Sequence, residues 1–179
     1  MRRLAILVML TLEFAVCGCG NNTPSTVTNT STTGNWEAQL ISDTGGEGSL
    51  LNFVVGFNVT NTGPLNITGF AFFNQGACFA TGLNAETETG KASFTTDASG
   101  NVTGTLDLTV TSSTTGSVLS LTGQLTGTSN GTTTTTGTLS NGLVVGQWDL
   151  KAGQGNSSSG CSGGGSFVMC QGKATCSTS

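Results

Sequence analysis

Asn101-Val102-Thr103-Gly104-Thr105-Leu106-Asp107-Leu108-Thr109-Val110-Thr111 is the stretch that decides the fold class of this chain. Apolar or small residues at 102, 104, 106, 108 and 110 alternate with polar ones at 103, 105, 107, 109 and 111. A period of two sends alternate side chains to opposite faces of an extended strand, as in a sheet with one face in water. Leu119, Leu121, Gly123 and Leu125 repeat the pattern, and helical period is almost absent from the chain. An all-β fold is therefore expected.

Working outward, Asn141-Gly142 predicts a two-residue hairpin turn, since both central positions of such a turn want positive φ. That register sets Leu139 against Val144, Gly137 against Gly146 and Thr135 against Trp148, which places a large indole beside small neighbours. Upstream, Leu51, Phe53, Val55, Phe57 and Val59 form one apolar face, and Asn61-Thr62-Gly63-Pro64 is predicted to turn the chain. Leu65, Ile67, Gly69, Ala71 and Phe73 continue that face on the return strand. Phe70, Phe72 and Val54 fall on the opposite face, which is read as a second buried surface.

A short unit recurs as Thr33-Gly34-Asn35-Trp36, Thr103-Gly104-Thr105-Leu106, Thr122-Gly123-Gln124-Leu125 and Thr136-Gly137-Thr138-Leu139, with Val145-Gly146-Gln147-Trp148 as a variant. An inward Gly two residues before a large inward side chain relieves crowding and lets a strand bend, as a curved sheet requires. The spacings suit successive strands of an antiparallel up-and-down meander of about eight to ten strands rather than a solenoid repeat. An open sheet leaves unprotected edges, so a closed or nearly closed barrel is expected, with a β-sandwich as the alternative.

Four cysteines lie in the predicted folded part: Cys78, Cys161, Cys170 and Cys176. An even count in an exported chain argues for two disulfides, and four cysteines allow three pairings. The Gly- and Ser-rich stretch before Cys161 and the short interval from Cys170 to Cys176 favour Cys78 with Cys161 and Cys170 with Cys176. The first pair would close a loop worth ~4.5 kcal/mol on the chain-entropy model. A zinc site is not expected, because the chain has no His and no C-x-x-C pair. No metal and no cofactor are called.

The N-terminus carries Arg2 and Arg3, then a mostly apolar run from Leu4 to Val16, too short to span a bilayer and suited to an export signal. Its end, Val16-Cys17-Gly18-Cys19, resembles the lipobox of bacterial lipoproteins, in which a branched aliphatic, a variable and a small residue precede the modified cysteine. Glu13 departs from that pattern by placing a charge near the end of the apolar core. The resemblance implies a signal peptide over 1–18, lipidation at Cys19 and attachment to a membrane through acyl chains. Gly20, where an inner-membrane retention signal would place Asp, points to the outer membrane. Residues 19–34 then comprise the lipidated Cys and a Ser/Thr/Asn spacer, and 35–179 a single β domain. Without residues 1–18 the chain has three Lys against eight Asp and Glu, a net charge of 3 − 8 = −5. Such a chain cannot neutralise a phosphate backbone, so nucleic acid is not an expected partner.

Gly34-Asn35-Trp36, at the start of the domain, resembles the Gly-X-Trp of calycins, the lipocalin and avidin-like barrels. The resemblance implies a small apolar ligand, with Trp36, Phe53, Phe57, Phe73 and Trp148 as its lining. The basic residue that caps this Trp in lipocalins, and their C-terminal helix, are not visible here. With no His and no Tyr, Ser-His-Asp and Cys-His arrangements are excluded. Glu86 and Glu88, and Asp43 and Glu47, are read as solvated loop charges. The expectation is a membrane-anchored extracytoplasmic lipoprotein whose non-enzymatic β module serves binding or envelope structure, through an envelope protein partner. The alternative is a calycin-like carrier.

Overall fold

The computed structural model describes residues 35–43, 51–58, 62–73, 77–80, 82–129, 139–154 and 160–172. Nine strands are defined: β1 Asn35–Ser42, β2 Phe53–Asn58, β3 Thr62–Pro64, β4 Asn66–Phe72, β5 Thr87–Thr96, β6 Asn101–Thr111, β7 Val118–Ser129, β8 Leu139–Lys151 and β9 Gly163–Gln171. They form one antiparallel sheet in the order β3-β5-β6-β7-β8-β9-β1-β2-β4, nearly closed into a barrel. From β5 to β9 the strands follow one another as an up-and-down meander, and β9 then pairs with β1.

Closure rests on a single residue. β3 pairs with β5 and β4 pairs with β2, so the two ends of the strand order are neighbours in sequence, separated only by Leu65. The Leu65 N–H donates to Gly90 O at 2.9 Å, extending the β3–β5 ladder by one step, and its side chain lies over Gly90. The predicted turn at Asn61–Pro64 is therefore corrected: Thr62, Gly63 and Pro64 form a strand opposite Ser93, Ala92 and Lys91. Pro64, which lacks an N–H, is tolerated because β3 is a short edge segment.

The inward faces make one apolar cluster, and its rows alternate bulk with glycine. Leu106 pairs with Gly123, Gly123 with Gly146, and Gly146 with Phe167, so the fully buried Phe167 ring closes over two adjacent glycines. A Cβ at Gly123 would stand 3.0 Å from the end of that ring. Gly104 faces Phe94 in the same way. Trp148 extends over Gly165 of β9 and donates its indole N–H to Ile41 O on β1 at 3.0 Å, bridging across an intervening strand. The expected small neighbours of Trp148 are present, but they are glycines of β9, not the partners predicted.

That difference follows from Asn141-Gly142, which makes no hairpin. β8 runs through it, with Leu139 opposite Ser129, Ser140 opposite Thr128 and Leu143 opposite Thr126. Two residues, Asn141 and Gly142, stand against Gly127, and Asn141 has φ 53°. The preference for positive φ is real, but it is used for a bulge. Val144 pairs with Leu125 and Met169, Gly146 with Gly123 and Phe167, and Trp148 with Leu121 and Gly165. Residues 135 and 137 lie outside the described residues.

A second bulge reverses the predicted facing of β4. Gly56 pairs with Gly69 but Phe57 pairs with Ile67, so Thr68 is an extra residue on β4. Beyond it, Phe70 stands opposite Val55 and Phe72 opposite Phe53, all on the inner face, while Ala71 faces with Val54. One inserted residue shifts a period-two pattern by one, which exchanges the faces. Burial of the Phe70 and Phe72 rings was expected, but on the wrong side of the strand. Phe73 falls just past the strand end and is only partly buried.

These glycine contacts make a direct test. Gly165→Ala would drive its Cβ into the Ile41 carbonyl and within 2.9 Å of the Trp148 indole nitrogen, a loss of about 3 kcal/mol. Gly164→Ala meets nothing nearer than 3.4 Å, and its expected change is within about 0.5 kcal/mol. Urea unfolding of the two variants measures the difference.

Candidate functional site

The two ends of the barrel differ in chemistry. At the end where β1 begins and β2 finishes, Trp36 stacks on Phe57 with ring centroids 5.1 Å apart and planes 13° apart. Gly142, in the β8 bulge, lies against the far edge of the Trp36 indole, where any Cβ would overlap it. Gln171 ties this corner: its Oε1 accepts from Gly142 N at 3.0 Å and its Nε2 donates to Leu139 O at 2.8 Å. Trp36 is fully buried, and its Nε1 has no hydrogen-bond partner among the described residues. An unmatched buried N–H costs about 1–3 kcal/mol.

At the opposite end, residues 77–80 and 82–86 form a strap that reaches β4, the β6–β7 turn and the entry to β9. Cys78 is disulfide-bonded to Cys161, at the entry to β9, across 83 residues of sequence. Phe79 is buried against Phe72 at 4.6 Å and extends a series of aromatic contacts, Phe72 to Phe70 at 4.9 Å and Phe70 to Phe53 at 4.9 Å. Asn84, at φ 53°, accepts the Phe70 N–H on its Oδ1 and donates its own N–H to Phe70 O, both at 2.8 Å. The short polar side chain suits that left-handed conformation. Asn84 thereby acts as a one-residue strand along the free edge of β4.

Glu86 locks the strap in place. Its Oε1 accepts from Ala80 N and its Oε2 from Ser113 N at 2.6 Å, and only 8% of the residue is exposed. The reading of Glu86 as a solvated loop charge is thus corrected: its carboxylate joins the strap to the β6–β7 turn. In that turn Thr115 donates to Cys78 O at 2.8 Å, and Ser112, Thr115 and Ser117 form a buried hydroxyl network. Period and spacing gave no sign of this. The only sequence signal was five hydroxyls within the six residues between two clear strands, a pattern that also fits an ordinary exposed turn.

Glu88 lies two residues on, on the inward-facing register of β5 opposite Val110. Its Oε1 is buried without a hydrogen-bond partner among the described residues. Burial pushes its carboxyl above the ordinary value of 4.5, a hydrogen bond to its own backbone opposes this, and the nearby Glu86 charge adds to it. Asp43, from the other predicted pair, is exposed, and Glu47 lies outside the described residues.

The five residues expected to line a ligand site are not gathered together. Trp36 and Phe57 pack at one end, Phe53 belongs to the aromatic series at the other, Trp148 spends its N–H on Ile41, and Phe73 is outside the core. The first predicted disulfide, Cys78–Cys161, is present. Cys170 is also disulfide-bonded, while Cys176 and the expected lipidation site, Cys19, lie outside the described residues. On the outer wall, shallow grooves of about 260 and 280 Å³ flank the exposed Lys91–Asp107 pair, whose charges are 3.4 Å apart. An exposed pair of this kind adds little stability.

Glu88 sets a pH dependence with a defined sign. The folded chain holds its proton more tightly than the unfolded chain does, so stability falls as pH rises from 4.5 through the raised folded value. Asp97 acts oppositely: hydrogen bonds from the Asn101 side chain and from backbone N–H groups hold its carboxyl below 3.8, so its contribution is lost in stronger acid. Glu88→Gln is expected to raise the melting temperature at pH 7 and to flatten the decline above pH 4.5, leaving the acid limb in place. Thermal unfolding across pH 3 to 8 reads both effects. No family model, no curated protein and no solved structure matches this chain.

Proposed function

We propose that this protein is a lipid-anchored extracytoplasmic module, held at the outer membrane through Cys19, whose barrel serves binding or envelope structure without catalysis. The lipobox-like Val16-Cys17-Gly18-Cys19 carries the reading. The Cys78–Cys161 disulfide is compatible with a location outside the cytoplasm. The composition of the chain agrees with a non-catalytic role, since it has no His and no Tyr. Glu86, its most buried carboxylate among the described residues, is occupied by backbone N–H groups and not presented to a cleft. The barrel face turned to solvent on β5, β6 and β7 is a field of Thr and Ser hydroxyls, suited to a neutral, hydrated surface.

Several acyl chains at one cysteine would hold the chain stably at a membrane, at ~0.8 kcal/mol per buried methylene. Cells producing the protein are expected to incorporate radiolabelled palmitate into it and to retain it in the outer-membrane fraction. Cys19→Ser is expected to abolish both. Label that persists in the variant overturns the anchor.

A second reading, a carrier of a small apolar ligand, is favoured by one observation: the buried Trp36 N–H has no acceptor among the described residues, as a ligand carbonyl or hydroxyl would provide. Native mass spectrometry of the chain without residues 1–19, purified without detergent, is expected to show bound mass under this reading. A bare chain removes it.

A further inference from the structure

Among the described residues, the barrel wall has one discontinuity. The residue leading into β4 is joined to β5 where Leu65 N meets Gly90 O, and β4 is joined to the strap where Asn84 meets Phe70. Between these points, residues 66–69 and 86–89 share no ladder. The strap lies past the Asn84–Phe70 end of this split, where it sets Phe79 against Phe72. No strand ladder depends on the strap, because pairing runs unbroken from β5 round to β4 without it. Its polar ties are point contacts: Asn84 to Phe70, Glu86 to Ala80 and Ser113, and Thr115 to the Cys78 carbonyl. Each such hydrogen bond contributes a few kcal/mol at most.

The covalent tie is of a different order. Cys161 leads directly into β9, which is laddered on both sides, to β8 and to β1. The anchoring side of the disulfide is therefore rigid and the strap side is not. Segments with few ladder bonds open locally at far lower free energy than the strands around them. A covalent tie from Cys78 to that rigid strand suppresses such opening by removing the freedom the strap would gain.

We propose that the strap is a redox-controlled gate at the Cys78–Cys161 end of the barrel. With Cys78–Cys161 oxidised, the gate is shut over the Phe53, Phe70 and Phe72 rings. A dithiol reductant opens it by thiol–disulfide exchange: two electrons and two protons convert the bridge to the Cys78 and Cys161 thiols, and the reductant leaves as its own disulfide. Opening uncovers an apolar aromatic surface while the nine-strand ladder stays intact.

Hydrogen exchange tests this on the oxidised protein and on the Cys78→Ser/Cys161→Ser variant, which leaves the Cys170 disulfide in place. The Phe70, Ala80, Asn84 and Ser113 amides, which are held by the strap or belong to it, are expected to exchange at least about 30-fold faster in the variant. The Leu106, Leu121 and Val144 amides are expected to keep their protection. The dye 1-anilinonaphthalene-8-sulfonate is expected to bind the variant and the dithiothreitol-treated protein, but not the oxidised one. Unchanged exchange at all four amides overturns the proposal. Equal acceleration throughout the sheet also overturns it, since the disulfide would then be a staple of the whole fold. Asn84→Ala, with the disulfide intact, is expected to free the Phe70 amide without dye binding; dye binding in that variant would show that the disulfide is not the control.

Discussion

One stretch of chain, residues 62–72, serves both edges of the sheet, and the barrel exists because of it. Thr62, Gly63 and Pro64 complete a ladder on β5; after Leu65 the chain changes partner and completes one on β2. Edge strands with unpaired N–H and C=O groups invite association with other chains, and closure removes them. Here the switch is made within a single residue, so the closing strand cannot pair along its full length with both neighbours. The split between β4 and β5 is the geometric remainder of that switch. The strap, with Asn84 as a one-residue partner for Phe70, bounds what closure leaves open.

The same economy governs the interior. A small barrel has room for side chains only if bulk on one strand meets a gap on the next. Phe167 over Gly123 and Gly146, Phe94 over Gly104, Leu65 over Gly90 and Trp148 over Gly165 each meet that condition. The bulge at Asn141-Gly142 does the same for Trp36, bringing a glycine to the indole edge. Trp148 shows the gain most clearly: the missing side chain at Gly165 lets its indole cross β9 and hydrogen-bond the backbone of β1.

Polar chemistry is concentrated at one end. The Cys78–Cys161 bridge, the Glu86 carboxylate, the Ser112, Thr115 and Ser117 hydroxyls and the unmatched Glu88 oxygen all lie with the strap. Two carboxylates two residues apart in sequence have separate tasks. Glu86 is satisfied by backbone N–H groups and holds structure together, whereas Glu88 is held inward with an oxygen unpaired among the described residues and its proton affinity raised. The other end offers a contrasting defect, the fully buried Trp36 N–H without an acceptor among the described residues.

Alternation from Val102 to Val110 and from Leu119 to Leu125 was enough to determine an all-β meander and its inward residues, because a strand's period depends only on local backbone geometry. The cysteine count and spacing led to Cys78–Cys161, and the export-like N-terminus argued for its oxidation. Facing across β4, the use of Asn141-Gly142 and the burial of Glu86 were decided only in three dimensions. A bulge is a property of two paired strands, so a single strand's sequence carries no mark of the inserted residue that turned Phe70 and Phe72 inward. Positive φ at Asn141 serves a hairpin or a bulge equally well until a partner strand chooses. Glu86 reads as a surface charge until two backbone N–H groups, one of them 27 residues away, converge on it. Local periodicity determined what the chain builds; the pairing of distant strands decided where it bends, where it closes and which of its polar groups are shut inside.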